Sequence, residues 1–385
     1  MKIKNKNVFA VWFMVAAMLM SGCQQAEPEP VPVVEEQVID EMISIYVLGD
    51  NLLHTPVIAS GLQEDGSYDF SHIFANLQPE IRNADMAVIG QETIYGGDNL
   101  GYSGYPLFNS PTDMGRTLVK EGFDTVLHAS NHVLDKGGSG VENTLAFWQG
   151  YPEINVLGIN SSEEEKQKVD IVEVKGAKLA LLNYTYGTNG LSVPTGKEYL
   201  VNYIDEEKIK TDAEYSEENA DFTIAFMHWG TEYSPKPDED QKALALKMCE
   251  WGVDLIVGSH PHVIEPVEWI ESENGNKMLV YYSLGNFVSR QVKAANLLGG
   301  IADVELHYNG EAVEIDDFEF VPIVTHYDVT HTQFAVYPLA EYTNELAAGH
   351  GVAGYNGAVS IERWTEMIRS TFEGYDTSMI KDIEL

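Results

Sequence analysis

The sequence predicts a layered α/β fold, and three observations carry that prediction. Short apolar runs of strand length alternate with longer segments whose apolar residues recur at helical spacing. Two later runs, Ile301–Tyr308 and Ala312–Phe320, follow each other with no helix between them, which adds an antiparallel portion. A hydrophobic share of 44% with 10% aromatics suffices for a large core in 385 residues.

The elements run in order along the chain. Ile43–Gly49 (ISIYVLG) reads as a buried strand. Phe70–Ala84 reads as a helix, because Ile73, Phe74, Leu77 and Ile81 share one face at helical spacing. Met86–Ile89 is a strand, Thr112–Glu121 a helix, Asp124–Leu127 a strand and Val141–Gln149 a helix. Strands are expected at Ile154–Gly158, Val169–Val174 and Leu179–Tyr184, then a polar helix at Asp205–Asn219. Phe222–Met227 is a strand and Asp238–Trp251 a helix. Leu255–Val257, Val263–Trp269 and Met278–Tyr282 return to strand, and the tail carries a helix at Val359–Thr371. There is no internal repeat.

The N-terminus reads as an address. Met1–Asn7 is basic and precedes the apolar run Val8–Met20. At about 1.5 Å per helical residue that run is too short for a hydrocarbon core of roughly 30 Å, and it matches the apolar part of a secretory signal. Ser21-Gly22-Cys23 then resembles the end of a bacterial lipoprotein signal, so residues 1–22 are expected to be a signal peptide and Cys23 the lipidated residue. An uncleaved anchor is the alternative, and both place the body outside the cytoplasm. Residues 23–42, rich in Pro and Glu, read as a solvated spacer. The main domain is expected over 43–324, with a C-terminal extension over 325–385. The two cysteines, Cys23 and Cys249, exclude a disulfide scaffold or a multi-cysteine zinc site. A net charge of −37 argues against nucleic acid as a partner, since phosphate neutralisation needs clustered Lys and Arg.

The informative residues stand directly after the strands. The apolar runs lead into Asp50, into Gln91 and Glu92, into Asn131 and His132, into His228, and into His260-Pro261-His262. Open α/β sheets bind ligands beyond the carboxyl ends of their strands, so these turns are expected to converge on one crevice. A donor set of carboxylate, amide and imidazole suits Mn, Zn or Fe better than Ca or Mg. In an extended segment His260 and His262 would point to the same face, and Pro261 favours an extended backbone at His260. Gly285-Asn286-Phe287 reads either as a tight turn or as the carrier of a crevice residue. Asn286 and Arg290 are then candidates to orient an anionic substrate, the guanidinium being suited to bidentate recognition. Trp229 is a candidate groove residue with core packing as the alternative, and Glu232 a candidate partner for a histidine ligand.

The segments Gly49-Asp50, Ala84-Asp85 through Glu92-Thr93, Ser130-Asn131-His132 with Asp135 and Gly137, His228-Trp229-Gly230, Gly258-Ser259-His260-Pro261-His262 and Tyr282 through Phe287 occur in one order. This arrangement resembles the CapA family of capsule (poly-γ-glutamate) biosynthesis proteins over roughly Ile43 to Val324. That family in turn resembles the calcineurin-like metallophosphoesterases, which implies a layered sandwich of two mixed sheets flanked by helices. The resemblance implies one or two divalent metal ions held by Asp50, Glu92, Asn131, His228, His260 and His262. It makes Glu92 the bridging carboxylate, with His132 and Asn131 as the catalytic pair. Three positions depart from the pattern. Leu52 stands where metallophosphoesterases carry a His, with His54 nearby; Val133 replaces the acid that often follows Asn-His; Gly90 stands where Asn is common.

Two functions are consistent with these expectations. One is a lipid-anchored extracytoplasmic protein that helps build, export or anchor an anionic capsule polymer, with synthesis-complex subunits as partners. The other is a metal-dependent hydrolase of a phosphoester or of an amide in the cell envelope.

Overall fold

The computed structural model describes residues 39–384. The signal peptide, Cys23 and most of the expected spacer lie outside the described residues. Among the described residues, fourteen strands succeed one another in chain order: β1 (Glu41–Asn51), β2 (Met86–Gly90), β3 (Thr125–Leu127), β4 (Asn155–Leu157), β5 (Asp170–Val174), β6 (Ala177–Thr185), β7 (Phe222–His228), β8 (Leu255–Ser259), β9 (Val267–Glu271), β10 (Lys277–Tyr281), β11 (Asn286–Val288), β12 (Leu298–Tyr308), β13 (Val313–Tyr327) and β14 (Phe334–Pro338).

They form two mixed sheets. The first runs β14-β13-β12-β1-β2-β3-β4, with β11 also paired to β1. Within it β1, β2, β3 and β4 are parallel, while β12 returns antiparallel on β1. The second runs β5-β6-β7-β8-β10-β9, and its central strands β6, β7, β8 and β10 are parallel. The sheets face each other: Ile45, Val47 and Val88 of the first share one buried cluster with Ile224, Phe226 and Leu279 of the second. On the outer side of the second sheet, Ala225, Met227 and Ile256 pack against Ile209 and Met248 of helices Glu206–Asn219 and Glu239–Glu250. Side chains alternate along β7, so the parity that buries Phe222, Ile224 and Phe226 between the sheets also aims His228 inward.

The strand and helix order expected from the sequence is present, with differences that have local causes. The helix expected over 70–84 is two short helices, Ser71–Phe74 and Gln78–Asn83. Pro79 lacks an N–H and its ring crowds the carbonyl one turn back, so a continuous helix cannot pass through it. The strand expected from Val263 begins at Val267, because the preceding residues bridge to Leu284 and Ser283 instead. The helix expected from Val141 begins at Gly137, its first turn disguised by the glycines of Gly-Gly-Ser-Gly. The strand β11 was not expected; three residues suffice because Asn286 lies in register with Asp50 on β1. The main sheet continues past residue 324, since β13 extends to Tyr327 and pairs with β14. Trp364 of helix Ile361–Thr371 is fully buried in the same core. No helix among the described residues is long and apolar enough to cross a membrane.

Candidate metal centre

The carboxyl ends of β1, β2, β7 and β8, with the turn after β3, bring the strand-end residues into one buried pocket. Donor atoms of Asp50, Glu92 and His262 all lie within 4.8 Å of one another. His262 Nδ1 is 3.8 Å from Asp50 Oδ2, and its Nε2 is 3.8 Å from Glu92 Oε1. His228 Nδ1 is 3.7 Å from Asp50 Oδ1, and the rings of His228 and His260 are 4.9 Å apart. His132 Nε2 approaches Glu92 Oε1 at 3.9 Å. Asn131 Oδ1 is 3.0 Å from His228 Nε2. The six residues expected as ligands, and His132, are therefore neighbours although they span more than 200 residues of sequence.

The backbone builds this approach. A side chain at Gly49 would place Cβ 2.1 Å from the Gly285 carbonyl, so only glycine lets β1 pass the turn that leads into β11. The Asp50 N–H donates to that same carbonyl at 3.0 Å. His260 and His262 do not reach the pocket by strand alternation, as the sequence had suggested. β8 ends at Ser259, and both histidines have left-handed backbone, φ 98° and 57°. Such conformations cost of order 1–3 kcal/mol each for non-glycine residues and persist where surrounding contacts enforce them. Here the turn aims the His260 N–H at Asp50 Oδ2, 3.0 Å away.

Hydrogen bonds fix which atoms face the pocket. Asn286 Nδ2 donates to the Asn296 carbonyl at 2.9 Å, so its Oδ1 must face His262 Nδ1, 3.0 Å away. The proton then sits on Nδ1, and the Nε2 lone pair faces Glu92. Ser259 Oγ lies 3.0 Å from His228 Nδ1. Asp135 Oδ2 is 2.7 Å from His132 Nδ1 and also accepts the Phe108 N–H at 2.7 Å. Asp135 thus occupies the role sought beside His132, three residues along rather than one. Sequence reading placed Asp135 and Ser259 within the family-like segments and assigned neither a role, because their adjacency to the strand-end motifs does not say which imidazole each one meets.

The residues present fit a cation. Both Glu92 carboxylate oxygens and His260 Nδ1 are buried without a hydrogen-bond partner. Leaving such a group unpaired costs roughly 1–3 kcal/mol, more for a charge, and a cation held between Glu92, Asp50 and His262 would satisfy the carboxylate. Burial raises the Glu92 carboxyl well above its usual range, with the Asp50 charge adding to the effect. Burial also pushes Asp50 up to about 7, opposed by the His260 N–H and the Ser259 hydroxyl. The imidazoles fall for the same reason, His260 to about 3 and His262 to about 4, so they stand neutral as ligation requires.

Other expected residues lie elsewhere. Trp229 is buried in the outer core of the second sheet and donates from Nε1 to the Tyr282 carbonyl, so it lines no groove. Asn286 is buried behind His262, and its side-chain contact is with that imidazole rather than with the cleft. Arg290 is held between the rings of Tyr327 and Tyr355, at 4.9 and 4.8 Å, and donates to His331. Its aromatic neighbours capture the guanidinium away from the cleft wall. Glu232 lines the cleft mouth and makes no hydrogen bond to a histidine ligand among the described residues. His54 also lines the cleft, accepts the Arg290 N–H at 3.2 Å and is lowered to about 4 by burial.

With this geometry in place, comparison with known proteins decides the family. The family described as "Bacterial capsule synthesis protein PGA_cap" matches residues 44–291. The chain belongs to that family. Among curated PGA_cap-like relatives, the "PGA biosynthesis protein CapA" of Bacillus subtilis is 30% identical over 222 residues, covering 55% of this chain and 53% of the relative. The "Capsule biosynthesis protein CapA" of Bacillus anthracis is 27% identical over 332 residues, covering 81% of this chain and 76% of the relative. The chain thus spans about half the length of the first of these. Among solved structures, the calcineurin-like phosphoesterase YfkN from Bacillus subtilis aligns at TM-score 0.43 and 15% identity, covering 87% of this chain and 98% of that one. The family expected from the strand-end motifs is the family found, and the PGA_cap match covers every residue of the pocket.

Proposed function

We infer that this chain is a capsule-biosynthesis protein acting outside the cytoplasm from a lipid anchor at Cys23. Its strand-end pocket holds one or two divalent cations, with Mn, Zn or Fe favoured by the donor set. Through them it engages an anionic group of a capsule polymer of the poly-γ-glutamate kind. The observation that carries this reading is Glu92, a fully buried carboxylate with no hydrogen-bond partner, facing Asp50 and His262. Asp50, Glu92, Asn131, His228, His260 and His262 would hold the cations, which neutralise anionic charge and polarise bound oxygen. The chain itself orients the donors: Asn286 sets the His262 tautomer, and Ser259 braces His228. A protein of net charge −37 repels polyanions at long range, so the pocket's cations offset that repulsion within a Debye length of about 8 Å.

A second reading, metal-dependent hydrolysis of an envelope phosphoester or amide, is favoured by His132. Asp135 holds its Nδ1 at 2.7 Å, leaving Nε2 toward the pocket, the arrangement of a group that delivers a proton to a departing oxygen or nitrogen. The test is metal content of the full chain by mass spectrometry, with binding of oligo-γ-glutamate and turnover of a phosphoester panel. Metal-dependent binding without turnover supports assembly. Turnover lost in His132→Ala, with its metal retained, supports the hydrolase. Absence of stoichiometric metal after reconstitution overturns both. Cys23→Ser is expected to release the protein from membranes; continued membrane association would overturn the lipid anchor.

A further inference from the structure

One strand end at this edge has no part in the pocket described so far. β6 runs parallel to β7 with Thr185 in register with His228, so the residue after it, Tyr186, leaves the sheet where the strand-end residues gather. Its N–H donates to the His228 carbonyl at 3.0 Å. Its ring lies 4.4 Å from that of His260 and stacks on that of His228 at 6.5 Å, with 10° between the planes. Tyr186 is nevertheless 47% exposed. One part of the side chain covers two imidazoles of the pocket and the rest meets solvent, as in a group that touches whatever enters.

Hydrogen bonds decide what its hydroxyl can offer. Asn131 Oδ1 is 3.0 Å from His228 Nε2, and Asn131 Nδ2 donates to Asn189 Oδ1 at 3.2 Å. Asn189 holds that place with left-handed backbone, φ 52°, which asparagine tolerates. The Asn131 amide is thereby fixed, and it also bears as a donor on the Tyr186 hydroxyl oxygen. An oxygen that accepts from Asn131 keeps its own hydrogen to give, and among the described residues nothing takes it. Tyr233, half-exposed with its ring 6.0 Å from His262, differs, because its hydroxyl has the Glu232 carboxylate as acceptor. The surroundings of the Tyr186 hydroxyl favour an oxyanion. The pocket floor is the proposed cation site, and two ammonium groups stand on the walls of the adjoining cleft of ≈ 460 Å³. Lys136 reaches the Leu107 carbonyl at 3.1 Å, and Lys293 lies over the Tyr233 ring at 4.7 Å.

We propose that Tyr186 is an oxyanion-binding residue of this site, its O–H donating to an oxygen of the carboxylate or phosphoryl group that the cations hold. The inference rests on the cation-site reading and adds a neutral donor to it. The test compares the full chain with its Tyr186→Phe variant, both reconstituted with Mn²⁺, by calorimetric titration with oligo-γ-glutamate and with methylphosphonate. Phenylalanine keeps the ring over His260 and removes only the hydroxyl. Metal content and Mn²⁺ affinity are expected to stay at wild-type values, while an oxyanion probe binds about tenfold more weakly, as loss of one hydrogen bond to a charged group predicts. Each probe that shows the loss names its oxyanion: oligo-γ-glutamate a polymer carboxylate, methylphosphonate a phosphoryl group. Equal affinity of the two proteins for both probes overturns the proposal. Loss of metal in Tyr186→Phe overturns it as well, because the phenol then braces Asn131 and meets no ligand. Wild type that holds Mn²⁺ yet binds neither probe overturns the proposal and leaves the cation site standing. Wild type that holds no metal after reconstitution removes the cation-site reading, and the proposal with it.

Discussion

The two ends of the parallel strands use the same residue type for opposite purposes. At the amino ends, Asp85, Asp124, Asp221 and Asp254 each stand just before a strand and accept the N–H of a residue on the neighbouring strand. Those donors are Ser44 at 2.9 Å, Ala87 at 2.8 Å, Lys178 at 2.7 Å and Thr223 at 2.7 Å. Each also donates its own N–H to the carbonyl of that same residue. At the carboxyl ends, Asp50 keeps one backbone donor, and Glu92 has none at all. The difference teaches how to tell structure from site. A carboxylate that accepts the N–H of the neighbouring strand ties the sheet together, whereas the unpartnered Glu92 carboxyl is a group that a cation would satisfy.

Breaking the bare end should give the largest effect. Glu92→Gln removes the charge with little change of volume. It is expected to abolish stoichiometric metal, and with it the stabilisation of about 2.7 kcal/mol that a metal at 100 times its Kd confers on wild type. Metal analysis and thermal melts with and without Mn²⁺ check this; a variant that retains metal and its melting shift would place Glu92 with the structural acids.

The amino end is tested through pH. Burial pushes Asp254 up to about 7 from an unfolded value near 3.8. The folded state therefore binds the proton more tightly, and wild type loses stability as pH rises between those values. Asp254→Asn keeps an oxygen for the Thr223 N–H and has no charge to bury. Relative to that variant, wild type should lose on the order of a few kcal/mol between pH 4 and about 7, read by urea unfolding. Metal content should not change in the variant. A pH-independent difference would sink the assignment.

Ser259→Ala probes a support of the pocket. Loss of the hydroxyl beside His228 should weaken metal binding about tenfold, with stability without metal nearly unchanged. The smallest effect is expected at Asp221, which is exposed, so water replaces its carboxylate in Asp221→Ala. A cost of about 0.5–1.5 kcal/mol with unaltered metal binding is expected, and a larger one would show that the amino-end acids act together.

Much of the fold was legible because its cause is local. Both long helices flanking the second sheet stand where the sequence places them, and Asp205 and Asp238 are their N-caps, each accepting the N–H three residues on. The meeting of the strand-end residues was legible for a related reason: strands of a parallel sheet end at one edge, so residues following them are brought together. Trp229 and Arg290 were misplaced because the residue after a strand gives no hint of which side it turns to. For Trp229 that was decided by a core and a carbonyl, Tyr282, and for Arg290 by two tyrosines beyond residue 324.

The sequence by itself determined the alternation of strands and helices, the family and which residue types stand at the strand ends, since these depend on neighbours along the chain. Only the tertiary structure decided that Glu92 accepts no hydrogen bond while Asp254 accepts the Thr223 N–H, that Asp135 serves His132, and that His260 and His262 enter through left-handed turns. Hydrogen-bond satisfaction is a property of what surrounds a buried atom, and those surroundings come from strands far apart in the chain.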